Sequence, residues 1–119
     1  MRSAVTWVLS ILLAVAFLGA GGSKLASHPM MIATFNGFGY PLWFMYVTGV
    51  LELTGAVLVL FPRRAYLGAA LLSCVMIGAI VSHLTHGQAA KVPLPLILLV
   101  LALAVGTLRG WRAQPASQT

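Results

Sequence analysis

Residues 42–61 read LWFMYVTGVLELTGAVLVLF, twenty positions with a single ionisable side chain, Glu52. Pro41 precedes the run and Pro62-Arg63-Arg64 ends it, since proline cannot continue a helix. Twenty helical residues rise ~30 Å, the thickness of a bilayer's hydrocarbon core, so the stretch predicts a transmembrane helix. Composition agrees. Of 119 residues 61% are hydrophobic and only 7% charged, with a mean hydropathy of +1.01, against ~25% charged in globular domains. A chain so poor in charge cannot build a solvated surface, and its solvent is expected to be lipid. Disorder is excluded with it. So is a nucleic-acid partner for the net charge of +6, because the positives are scattered singly between apolar runs. Cys74 is the only cysteine, which excludes a disulfide scaffold; lying within an apolar run, it reads as packing.

Outward from this run the pattern repeats. Residues 3–22 form a span toward the N-terminus. Arg2, the apolar stretch and the small residues 19–23 also have the outline of a signal peptide, but the run is long for one. Residues 65–84 form a third span, with His83, His86 and Gly87 at its exit. Residues 92–108 form a fourth, opened by Pro93 and Pro95 and closed by Arg109-Gly110-Trp111-Arg112. The prediction is an all-α integral membrane four-helix bundle, one domain over residues 1–112, with a polar tail over 113–119. Arg2, Arg63, Arg64, Arg109 and Arg112 fall at one end of such a bundle, and Lys24 and Lys91 at the other. The positive-inside rule then puts both termini in the cytoplasm.

The connection from Lys24 to Pro41 predicts a short amphipathic helix over residues 29–35 in the first outer loop, with Ser27 as N-cap, Pro29 in the first turn and a turn over residues 36–41. Of eleven aromatic residues, six lie between Phe35 and Tyr46. They read either as an interfacial belt or as a lid over an outward-opening cavity, with Phe35, Tyr40, Trp43 and Tyr46 as candidate ligand contacts.

Glu52 is the chain's one acidic residue. A carboxylate at mid-bilayer costs ~2.5–3.5 kcal/mol on insertion scales, so it is expected to face the bundle interior and to be paired, protonated or functional. Gly49, Glu52, Gly55 and Ala56 share a helix face narrow enough for a second helix to approach closely. Ser10, Phe17, Gly21 and Lys24 form a stripe on the first span; Gly68, Leu72, Met76, Ala79 and His83 form one on the third. Glu52, Lys24 and His83 are therefore the candidate catalytic groups, and Gly49 and Met76 candidate ligand contacts. Glu52 lies ~9–14 Å below the outer boundary at 1.5 Å per residue, so a direct pair with Lys24 requires the first helix to run deep or tilt; otherwise water or a ligand bridges them. His86 and Lys91 read as interfacial. His83 and His86, three residues apart, make no convincing metal site, and none is expected.

Gly22-Ser23-Lys24-Leu25, Phe35, Gly39-Tyr40-Pro41, Gly49-Val50-Leu51-Glu52-Leu53-Thr54-Gly55, Leu67-Gly68-Ala69 and Met76 through Ala79 to His83 occur in an order and spacing that resembles the DoxX family of small four-span membrane proteins. The resemblance runs from about Leu9 to Arg109. It implies a bundle in the bacterial inner membrane associated with an oxidoreductase, and in some members a role in assembling other membrane proteins. Activity is not uniform across that family, so the redox role is carried by analogy. The expectation is a non-autonomous accessory or quinone-interacting component of a membrane redox system, with a polar pocket around Glu52, no intrinsic cofactor, and quinone as the implied ligand. The expected partners are the lipid bilayer, a membrane-bound or soluble oxidoreductase, and a second copy of the chain packed on the small-residue faces. Two alternatives stand beside it: a proton-coupled transporter of the small multidrug type, which would carry its acid in the first span rather than the second, and an assembly scaffold.

Overall fold

The computed structural model describes residues 2–109; Trp111, Arg112 and the tail predicted over residues 113–119 lie outside the described residues. Five α-helices follow in order: α1 (Arg2–Leu25), α2 (Pro29–Phe38), α3 (Leu42–Val59), α4 (Ala65–Thr85) and, after a 3-10 turn at Ala89–Lys91, α5 (Pro93–Leu108). There is no strand among the described residues. The segments Ala4–Leu25, Leu42–Val59, Ala65–Thr85 and Ala89–Leu108 are long and apolar enough to cross a membrane. The protein is an all-α, multi-pass membrane protein. Around the bundle α1 lies on α3, α3 on α4, α4 on α5, and α5 closes the ring against α1, the up-down arrangement that short connections favour.

The span boundaries match the sequence within a turn, and each difference has a local cause. The helix before Pro62 ends at Val59, because the residue preceding a proline is pushed out of the α region. α2 continues past the expected Phe35 to Phe38 and stops where Gly39 adopts φ 77°, a left-handed C-terminal residue that suits glycine. Its N-cap is His28 rather than Ser27: His28 Nδ1 accepts from the Met30 backbone N–H at 3.2 Å. Ser27 instead takes φ 57° at the α1–α2 joint. α1 runs to Leu25, about one turn beyond the expected Gly22.

Two glycine crossings set the helix separations. A Cβ on Gly21 of α1 would stand 2.8 Å from the Gly49 carbonyl oxygen of α3; a Cβ on Gly68 of α4 would stand 2.6 Å from that of Gly55 on α3. Backbones that touch gain dispersion contacts, which drive helix association where lipid tails are as apolar as leucine. The core between them is built from Leu13, Ala14, Phe17, Ala56, Val59, Ala69, Leu72, Met76, Ala102 and Val105. In-span hydroxyls turn back on their own helices: Ser10 Oγ donates to Thr6 O and Ser73 Oγ to Ala69 O, both at 2.7 Å. Lipid offers no alternative acceptor. Cys74, expected to pack, lies on an exposed position of α4 instead.

Candidate functional site

On α3, Met45, Gly49, Glu52, Gly55, Ala56 and Val59 are buried together, so the small-residue face points inward as its spacing requires. Glu52 is 1% exposed. Lys24 Nζ stands 2.8 Å from Glu52 Oε1, with the lysine side chain itself buried. Among the described residues no other donor reaches this oxygen. The pair is direct, with neither water nor ligand needed to span it. The extra turn of α1 carries Lys24 onto the helix, and the contact of Gly21 with Gly49 brings the two backbones close enough for the lysine stem to reach. A Cβ on Gly49 would meet Lys24 Cβ at 3.0 Å. Gly49 therefore acts on the pair by its lack of a side chain.

The remaining predicted residues fall elsewhere. Phe35 and Tyr40 join Phe38, Phe44, His83 and His86 in a cluster of rings where α2, the 39–41 linker and the end of α4 meet. Phe38 lies at its centre, 5.4 Å from Tyr40, 5.2 Å from His83 and 5.0 Å from His86 by ring centroids. Tyr40 and Ser82 hydroxyls share a 2.8 Å hydrogen bond, which ties the linker to α4. His83 Nδ1 stands 2.9 Å from Gln88 Oε1, so its described partners are Phe38 and Gln88 rather than Glu52. Tyr46 is hydrogen-bonded to the Ser27 hydroxyl. Trp43 is 64% exposed and meets only the edge of Phe44 among the described ring contacts, as a side chain anchored in the interface would. Met76 belongs to the central core.

Two polar elements thus occupy the same end of the bundle: a sealed ion pair between α1 and α3, and an aromatic cap over α2, the linker and α4. Phe38, Ser82, His86 and Gln88 belong to the cap although their sequence context marks none of them as site residues. At the opposite end Arg109 lies over the Trp7 ring, 4.5 Å from its centroid, with Nη2 donating to Ser10 Oγ at 3.3 Å. No three His, Cys, Asp or Glu side chains come together as a metal site among the described residues. A proton can be held at Glu52 Oε or Lys24 Nζ.

The model of a family described as DoxX-like matches residues 8–105. The chain is also 29% identical over 110 residues to the uncharacterized protein YdgD of Bacillus subtilis, an alignment covering 89% of this chain and 96% of that protein. No solved structure matches the chain.

Proposed function

We propose that this chain, which belongs to the DoxX-like family, works as a quinone-interacting accessory component of a membrane redox system. The observation that carries the reading is the pair of Lys24 with the chain's only acidic side chain, inside the membrane-spanning region. A chain that needed only to pack could fill the same volume with leucine and methionine at little or no loss of stability. Ionisable groups at membrane depth instead mark proton and ligand paths.

A quinone head group entering between α1 and α3 accepts a hydrogen bond from Lys24 Nζ and releases Glu52 to carry a proton. On reduction the quinone gains two electrons from the partner oxidoreductase and two protons, one delivered through Glu52 and one from solvent at the cap, with His83 as a relay. Phe35, Tyr40 and Tyr46 line the approach, and Trp43 sets its depth. The arginine end faces the cytoplasm of a bacterial inner membrane, with both termini on that side, a reading supported by five Arg against two Lys in short loops. Lipid-soluble molecules that co-purify with the protein in mild detergent, identified by mass spectrometry, test the reading. Quinone accompanies the wild type and is lost from Glu52→Gln; phospholipid alone in both preparations refutes it.

A second reading, an assembly scaffold, is favoured by how tightly the pair is closed behind the Gly21–Gly49 contact. It expects a Lys24→Met/Glu52→Leu double variant to support its partner complex fully.

A further inference from the structure

Both ring nitrogens of His86, at the end of α4, face backbone carbonyl oxygens: Nδ1 lies 2.7 Å from Ser82 O and Nε2 lies 3.0 Å from Phe38 O. A carbonyl only accepts, so each nitrogen has to donate, and an imidazole carries two N–H groups only as the imidazolium. The Thr85 hydroxyl, 3.2 Å from Nδ1, does not alter the count, because it donates to Val81 O at 2.9 Å. The two carbonyls end different helices. Ser82 is in the last turn of α4 and Phe38 is the last residue of α2. Helix C-termini carry partial negative charge, and two of them converge here on one ring.

The surrounding titratable groups are accounted for. The linker presents Tyr40, bonded to Ser82, and α4 itself presents His83, turned to Gln88. Across the cap, Tyr46 of α3 is held by Ser27, and His28 sits at the far end of α2 with Nδ1 accepting from Met30. Lys91 follows on the 3-10 turn. The one carboxylate, Glu52, is engaged by Lys24. The anionic partners of a charged His86 are therefore the two helix ends.

The geometry points to His86 as a proton-binding clasp: protonated, it fastens the C-terminal turn of α2 to α4 and holds the aromatic cap shut; deprotonated, it satisfies only one of the two carbonyls and the cap loosens. This stands apart from any quinone chemistry. The closed cap binds the proton, so closure is favoured at low pH and weakened at high pH. His86 is exposed, so its proton exchanges directly with solvent.

The test uses the full chain in lipid nanodiscs, with hydrogen exchange followed by mass spectrometry over residues 29–40 from about pH 5 to about pH 8 and corrected for intrinsic rates, alongside nitrogen NMR of labelled histidine. In the wild type, protection of the Gly39 and Tyr40 amides, which donate to Asn36 and Phe35 carbonyls, falls roughly tenfold across that range, the size of one charge-assisted hydrogen bond. His86→Gln removes the pH dependence; His86→Arg, a permanent cation with a planar fork of donors, keeps protection at every pH. A wild-type profile with the same slope as His86→Gln overturns the proposal. Should neither variant fold, the wild-type NMR decides: a His86 ring that is neutral while the cap is protected overturns it, and an imidazolium that titrates together with cap protection supports it.

Discussion

Lys24 and Glu52 pair at the point where two helix backbones touch, while the hydroxyls of Tyr40 and Ser82, and of Ser27 and Tyr46, pair beside a knot of rings at the bundle's end. The first contact has one geometry and no substitute: Glu52 is 1% exposed and Lys24 is its described partner. The second is distributed. Phe38 alone touches Tyr40, His83, His86 and Phe35, so the ring contacts of the cap are shared among several side chains. Depth explains the difference. Deep in lipid an unpaired charge has nowhere to go, and the pair is kept or lost as a unit. At the boundary water can replace any one lost hydrogen bond, and contacts are free to weaken one at a time.

The sharpest way to break this contrast is a double-mutant cycle. Lys24→Met or Glu52→Leu alone leaves a buried charge without its partner and should cost about 3–5 kcal/mol, whereas the double variant should return close to wild-type stability. Reversible unfolding in mixed micelles checks it; additive single effects would mean that the two charges are solvated independently. An intermediate effect separates the crossings from the rest of the helix surfaces. Gly68→Ala drives a methyl against the Gly55 backbone and should destabilise by about 1–3 kcal/mol. Gly78→Ala, with nothing within 4 Å of the new carbon, should be neutral or stabilise by up to about 1 kcal/mol. The same unfolding assay ranks the two. The smallest effect belongs to the cap: Tyr40→Phe removes the bond to Ser82 and should cost about 0.5–1.5 kcal/mol with no change in the Lys24–Glu52 coupling. A loss as large as that of Glu52→Leu would show that the cap is no gentler than the core.

The four spans and the inward face of α3 were legible because length, hydropathy and a spacing of three and four residues fix them without tertiary information. The direct ion pair was not. Ser23 and Lys24 read as interface by composition, and only a carboxylate on the facing helix favours continuing α1 through them. The reach of Lys24 depends on a backbone contact, Gly21 on Gly49, and a sequence marks the glycines without marking which two meet. His83 shares a stripe with Met76, yet its height on α4 puts it beside Phe38 and Gln88, above the level of Glu52. Cys74 turned outward because helix rotation follows from packing on α3 and α5 together. His86 left least trace of all. Its two partners are backbone carbonyls, which every residue possesses and no side-chain pattern announces.

The ion pair also governs charges that it never touches. With the sole acidic side chain paired to Lys24, a formal charge of +6 remains on the other basic side chains. At the arginine end Arg109 lies over the π-face of Trp7. Electroneutrality must then be completed from outside, by headgroup phosphates and anionic lipids gathering around the basic loops. The bilayer thus supplies the counter-ions that a soluble protein of this charge would draw from its own surface or from salt.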